Sequence, residues 1–145
     1  MPEPTQTFAN HTRWHAPFHF VLTPILLLHF IYTAYQLYQA PDFAHFEALL
    51  LAFGLIVLQL LTRINPLKTQ DRLIRLEEQL RYQKLLPADL AAQASALPVG
   101  YLIALRFAAD EELPALAQQV VDRKFASPKE VKQAIRNWRG DYLRV

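Results

Sequence analysis

Residues 18–38 read FHFVLTPILLLHFIYTAYQLY, without a single Asp, Glu, Lys or Arg. At about 1.5 Å of rise per residue, a helix of this length crosses a hydrocarbon core roughly 30 Å thick. The stretch is longer than the apolar region of a typical signal peptide. No A-x-A cleavage pattern follows it, so it is expected to be retained. A second apolar run covers residues 44–62, with the centre ALLLAFGLIVLQLL. Its Leu, Ile, Val and Phe residues each favour insertion by about 0.3–0.6 kcal/mol, and Gly54 and Gln59 do not cancel that sum. The competing reading is a pair of buried helices in a soluble protein. Two near-uncharged runs of this length are rare there.

The link QAPDFAHF, residues 39–46, is short and holds a plausible turn at Pro41 and Asp42. So short a link makes the two helices antiparallel neighbours. Arg63, Lys68, Arg72 and Arg75 follow the second run, Arg13 precedes the first, and the link has neither Lys nor Arg. The positive-inside rule then puts both termini in the cytoplasm and the link outside. Trp14, Phe18 and Phe20 fit the inner interface; Tyr35, Tyr38, Phe43 and Phe46 fit the outer one.

Thirteen of the fifteen Lys and Arg residues follow position 65, and all five histidines precede position 46. The halves therefore meet different solvents or have different jobs. With three glycines in 145 residues, a turn-rich β protein and glycine-rich phosphate loops are disfavoured. The absence of cysteine excludes disulfides and thiolate chemistry. The fold expected is all-α: an interfacial segment over 1–17, a transmembrane hairpin over 18–64, and a cytoplasmic helical domain over 66–145.

Within the first span, His29, Thr33 and Gln36 share one helical face, a candidate contact with the second helix or another protein. Gly54 and Gln59 are the matching candidates on the second span. Pro24 should bend the first helix, leaving the Phe20 carbonyl for Thr23 or a partner group. His11, His15 and His19 stand four apart, the spacing of ligands on a helix. Pro17, however, disfavours helical geometry at Ala16 and clashes with the carbonyl of Arg13. The stretch then reads as an interfacial entry segment. The alternative is a metal or haem site using His11, His15, His19 or His29.

Beyond Pro66, expected to end the second span, residues 69–86 form an amphipathic pattern with Leu73, Leu76, Leu80 and Leu85 on one side. Asp71–Arg75 and Glu77–Arg81 are i, i+4 pairs, and the leucines suggest a short coiled-coil seam. Residues 98–109 read as a buried helix, with a strand as the lesser option. Asp110, Glu111 and Glu112 suit the start of a helix over 110–125. In SPKEVKQAIRNW, 127–138, Ser127, Pro128 and Glu130 make a capping box. Lys129, Lys132, Arg136 and Arg139 then form a basic stripe for lipid or a partner, and Gly140 a stop. Two adjoining helices superficially suggest a DNA-binding helix-turn-helix, but the membrane tether and the net charge of only +2 argue for no nucleic acid.

No Walker loop, G-x-S-x-G, H-E-x-x-H or dinucleotide fingerprint is present, and the C-terminal half has no histidine. A non-enzyme without cofactor is expected. The stretches NHTRWHAPFHF, RFAADEELPAL and SPKEVKQAIRNWRGDYLRV resemble a bacterial family of small, uncharacterised two-helix membrane proteins. The resemblance covers nearly the whole chain and implies architecture only, with no catalytic or binding residues to carry over. The leading expectation is an accessory or scaffold subunit in contact with lipid and with a membrane-protein partner or further copies of itself. Besides the metal or haem site, the remaining alternative is an oligomeric transport component.

Overall fold

The computed structural model describes residues 6–11 and 14–142, and Arg13, expected at the headgroups, lies outside them. Every named element among the described residues is helical. A π-helical stretch, Pro17–Leu22, leads into α1 (Thr23–Gln39). Then come α2 (Phe43–Leu85), α3 (Ala88–Ser95), α4 (Val99–Leu105), α5 (Leu113–Val121) and α6 (Pro128–Ala134). The chain divides into two compact units, Arg13–Pro66 and Met1–Thr12 with Leu67–Val145.

The first unit is a helical hairpin. Pro17 occupies the first turn of the π-helical stretch, and Ala16, where Pro17 is expected to disfavour helical geometry, is fully helical (φ −53°, ψ −47°). The constraint that proline puts on its predecessor is a preference and not a prohibition, and here helix formation overrides it. Pro24 has no N–H to offer, and the turns before it widen to i→i−5 bonding, with the Thr23 N–H reaching the Phe18 carbonyl. The Thr23 hydroxyl donates to the same carbonyl at 2.7 Å. The side chain of Thr23 thus serves Phe18, not Phe20. Asp42 caps α2 by accepting from the His45 N–H at 2.9 Å. That bond holds the exposed Asp42 carboxyl below its ordinary value.

Residues 64–68 do not break the chain as expected, because α2 runs through Pro66. One interior proline removes one hydrogen bond and costs about 3 kcal/mol. The Leu, Lys, Gln, Arg and Glu residues that follow are strong helix formers and outweigh it.

The second unit packs a core of Tyr82 from α2, Leu86 just beyond its end, Leu90 and Ala94 from α3, and Leu102 and Leu105 from α4 against Leu113, Leu116, Ala117 and Val131. Gly100 permits close approach of α4 and α6, since a Cβ there would lie 3.2 Å from Pro128 Cγ. Residues 98–109 are a helix as read, though a shorter one. It ends at Leu105, and Ala108 then forms an antiparallel bridge with Trp138. The Ala109 N–H meets the Asn137 carbonyl at 3.0 Å, and the Arg139 N–H meets the Phe107 carbonyl at 2.8 Å. Likewise α6 stops at Ala134, well before Gly140, and Ile135 turns extended (ψ 124°). At the other end of α6 the capping box forms. The Glu130 N–H donates to Ser127 Oγ at 3.4 Å, while the Glu130 carboxylate accepts from the Ala126 N–H at 2.8 Å.

α5 ends in a left-handed cap at Arg123 (φ 57°), with the Lys124 N–H on the Gln119 carbonyl at 3.0 Å. A side chain in this conformation is strained, and glycine is not. Arg123→Gly should therefore raise the stability of this unit by about 0.5–1 kcal/mol. Thermal unfolding of the full chain in detergent, followed by circular dichroism, measures it; an unchanged or lower midpoint contradicts the cap.

Candidate functional site

Hydrogen bonding dictates helices for residues 17–62, and their packing decides which side chains are hidden. On α1 the inward positions are Thr23, Leu26, Phe30, Thr33 and Leu37; on α2 they are Ala48, Leu49, Ala52, Leu55, Ile56 and Gln59. Both sets follow the i, i+3, i+7 spacing of one helical face. Only Thr33, Ala52 and Gln59 are buried among the described residues of this unit, so two of its three buried residues are polar. Gln59 Nε2 donates to Thr23 Oγ1 across the hairpin at 2.5 Å, and Thr33 Oγ1 donates to the His29 and Phe30 carbonyls at 3.1 and 3.0 Å. The large apolar side chains mostly point outward, including Phe20, Ile25, Leu28, Ile31, Leu51 and Leu58.

The expected face His29–Thr33–Gln36 is therefore split. Thr33 lies in the hairpin contact, Gln36 is half-buried with its amide on Tyr32 Oη at 2.6 Å, and His29 is exposed. Gly54 is exposed too, with nothing within 4 Å of where a Cβ would stand. Any close approach it permits is to something other than α1. The contact that sequence reading missed is Thr23–Gln59. Its signal was present, since the two polar residues sit in the inner halves of two antiparallel spans.

His15 and His19 lie in the hairpin unit, where His19 Nδ1 stands 3.0 Å from the His15 carbonyl. His11 lies in the other unit. Its ring stacks on Phe8 (5.5 Å between centroids) and meets Phe107 and Trp138 at 5.9 and 5.7 Å. Lys132 Nζ is 3.3 Å from His11 Nε2 and 5.4 Å above the Phe107 ring. Among the described residues no group of three or more His, Asp or Glu is placed to hold a metal ion.

With α6 ending at Ala134, Lys129, Lys132, Arg136 and Arg139 do not form a helical stripe. Lys132 turns to the aromatic cluster. Arg139 Nη1 approaches Glu78 Oε1 at 3.8 Å. Arg136 instead offers its backbone: the Glu112 carboxylate accepts from the Arg136 and Asn137 N–H groups, both at 3.2 Å. Glu112 thus ties the start of α5 to the chain leaving α6.

The second unit also holds a charged cleft of about 1020 Å³, bordered by Glu78, Arg81, Arg106, Asp110, Arg139 and Asp141. Arg81 does not pair with Glu77 as expected. Its Nη1 lies 3.2 Å from Glu78 Oε2, its Nε and Nη2 reach Asp110 Oδ1 at 2.8 and 2.6 Å, and Nη2 donates to the Ala108 carbonyl at 2.7 Å. Arg106 Nη1 is 3.1 Å from Asp141 Oδ2. The charges compensate one another, so the cleft joins α2 to the segments after α4 and α6.

The family of unknown function DUF6526 matches residues 1–145. The chain belongs to that family. No curated protein and no solved structure matches this DUF6526 chain.

Two measurements test the polar contacts of the DUF6526 chain. Burial raises the Glu78 carboxyl above its ordinary value, and Arg81 and Arg139 only partly offset this. Burial and the Glu78 charge likewise push the buried Tyr82 hydroxyl up. The folded protein thus holds the Glu78 proton more tightly than the unfolded one. Its contribution to stability is complete below the usual Glu range of about 4.3 and is lost as pH rises through the elevated value. Glu78→Gln mimics the protonated form. Its melting midpoint should match the wild type at acid pH and exceed it by on the order of a few °C at neutral pH. A gap that stays constant with pH contradicts the desolvated carboxyl. In the hairpin, a double-mutant cycle of Thr23→Val and Gln59→Leu should give a coupling of about 0.6 kcal/mol. Strict additivity would mean the two side chains do not meet.

Proposed function

We propose that this chain is a small integral protein of a bacterial inner membrane, an accessory or scaffold subunit that docks to other membrane proteins. The observation that carries the proposal is the inverted hairpin: only 6% and 11% of the residues in its two apolar windows are buried. A soluble protein with helices this apolar would bury them, because exposed apolar area costs about 25 cal/mol per Å². Here the apolar side chains face out, and Thr23, Thr33 and Gln59 face in. That is the arrangement a hydrocarbon solvent favours.

A second line of support concerns the number of crossings. Residues before the hairpin pack on residues after it: His11 against Phe107 and Trp138, and Gln6 Oε1 accepting the Asp141 N–H at 2.8 Å. Ends that meet lie on one side of a bilayer, which requires an even number of crossings. The Lys and Arg residues after position 62 make that side the cytoplasm. The outward aromatic and aliphatic surface would serve lipid and the membrane helices of a partner alike.

Fractionation tests the reading directly. The chain should sediment with membranes and resist alkaline carbonate, and a reporter inserted at Pro41 should be accessible only from the outer face. Release by carbonate removes the membrane reading. Purification in mild detergent followed by mass spectrometry tests the docking role, which a lone monomer would sink.

A further inference from the structure

The part of α2 after Pro66 buries the side opposite to the one its leucines predict. Ile74, Glu78 and Tyr82, spaced i, i+4, i+8, are the buried residues of this part of the helix, with Tyr82 completely buried in the core of the second unit. At about 100° per residue, Leu73, Leu76 and Leu80 lie on the far side of the helix. They are 54%, 54% and 51% exposed. Three leucines at i, i+3, i+7 on an uncovered face have the a and d spacing of a coiled-coil seam. They lie beyond the apolar span, in a segment with Arg72, Arg75, Glu77 and Lys84, so lipid tails do not cover them.

The charges beside the stripe identify what does. Arg72 stands immediately before Leu73 and Glu77 immediately after Leu76, the g and e positions that face each other across a two-stranded seam. Both are exposed, and neither makes an ion pair within the chain among the described residues. In a parallel pair of identical helices, Arg72 of each copy meets Glu77 of the other, twice by symmetry. In an antiparallel pair that superposes the leucines, the two Glu77 side chains come together instead, a like-charge contact that is disfavoured. Copies inserted the same way round in one membrane send α2 out of it in the same direction, which is the parallel case.

We propose that a second copy of this chain docks here. Two α2 helices associate in parallel through Leu73, Leu76 and Leu80, with Arg72–Glu77 pairs fixing the register. The seam is too short to hold free helices together in water. Confinement to one bilayer raises the effective concentration and makes up the difference. The parallel geometry rests on the membrane reading; the leucine face does not.

Because the natural chain has no cysteine, single cysteines report this contact without background. Leu73→Cys, Leu76→Cys, Leu80→Cys and the off-stripe control Arg75→Cys are made in the full chain, oxidised in intact cells and fractionated. All four positions are exposed, so the core is undisturbed. The expected result is a disulfide-linked dimer at the three leucine positions, at least five-fold more abundant than at Arg75, in the membrane fraction. In the Leu76→Cys background, Arg72→Glu or Glu77→Arg should each lower the yield several-fold, and the two together should restore it. No dimer from membrane-embedded protein overturns the proposal. So does a yield at Arg75 equal to the leucines, a cross-link to a different protein, or preferential Leu73→Cys to Leu80→Cys linkage in mixed expression. Protein found outside the membrane fraction removes the membrane reading alone if the leucine cross-links persist, and removes both if they do not.

Discussion

Two helices lying side by side have one line of contact, and a single line cannot hide two helices' worth of apolar side chains. That constraint governs residues 17–62. The interior strip is taken up by Thr23, Thr33, Ala52 and Gln59 with a few aliphatic neighbours, and the larger apolar residues have no protein to face. The hydrocarbon solvent of the proposed membrane location would turn this from a liability into the ground of stability: the backbone is satisfied inside each helix, the outer surface would match the surroundings, and the few polar side chains find one another.

The second unit follows ordinary aqueous logic, with one complication. Its buried face on α2 is not purely apolar, because Glu78 sits between Ile74 and Tyr82 and draws in Arg81 and Arg139. Those arginines connect α2 to Asp110 and to the extended segment near Trp138. Such desolvated networks add little net stability. Here the network lies on the side of α2 that also buries Ile74 and Tyr82, opposite the exposed leucines.

What the sequence made legible divides along the same line. The apolar runs were readable because their period and length depend only on local residues, and the Ser127–Pro128–Glu130 signal was readable because a cap is a short-range device. The reach of α2 through Pro66 was not, since it depends on the summed propensity of residues on both sides. The inward side of residues 69–86 was misjudged because leucines outweigh a glutamate in any pattern count. The inward face carries Ile74 and the core residue Tyr82 as well as Glu78, whose contacts with Arg81 and Arg139, like that of Arg81 with Asp110, involve partners spread over some distance in the chain. The basic stripe failed for a related reason: α6 ends early, and residues 137–139 bond to the distant 107–109. The split of His29 from Thr33 turned on a fraction of a helical turn, finer than face assignment by spacing resolves.

The packing of His11 against Phe107 and Trp138 has a consequence in time. Residues 6–11 are made before the partners they meet, and Asp141, whose N–H bonds Gln6, lies 135 residues later. At about 5–20 residues per second of synthesis, the early segment waits on the order of ten seconds for its partner. By then the whole of α1 and α2 has been produced. Closing the second unit therefore follows the synthesis of both α1 and α2. Residues 6–11 act as a clasp that can fasten only after the hairpin residues have been made.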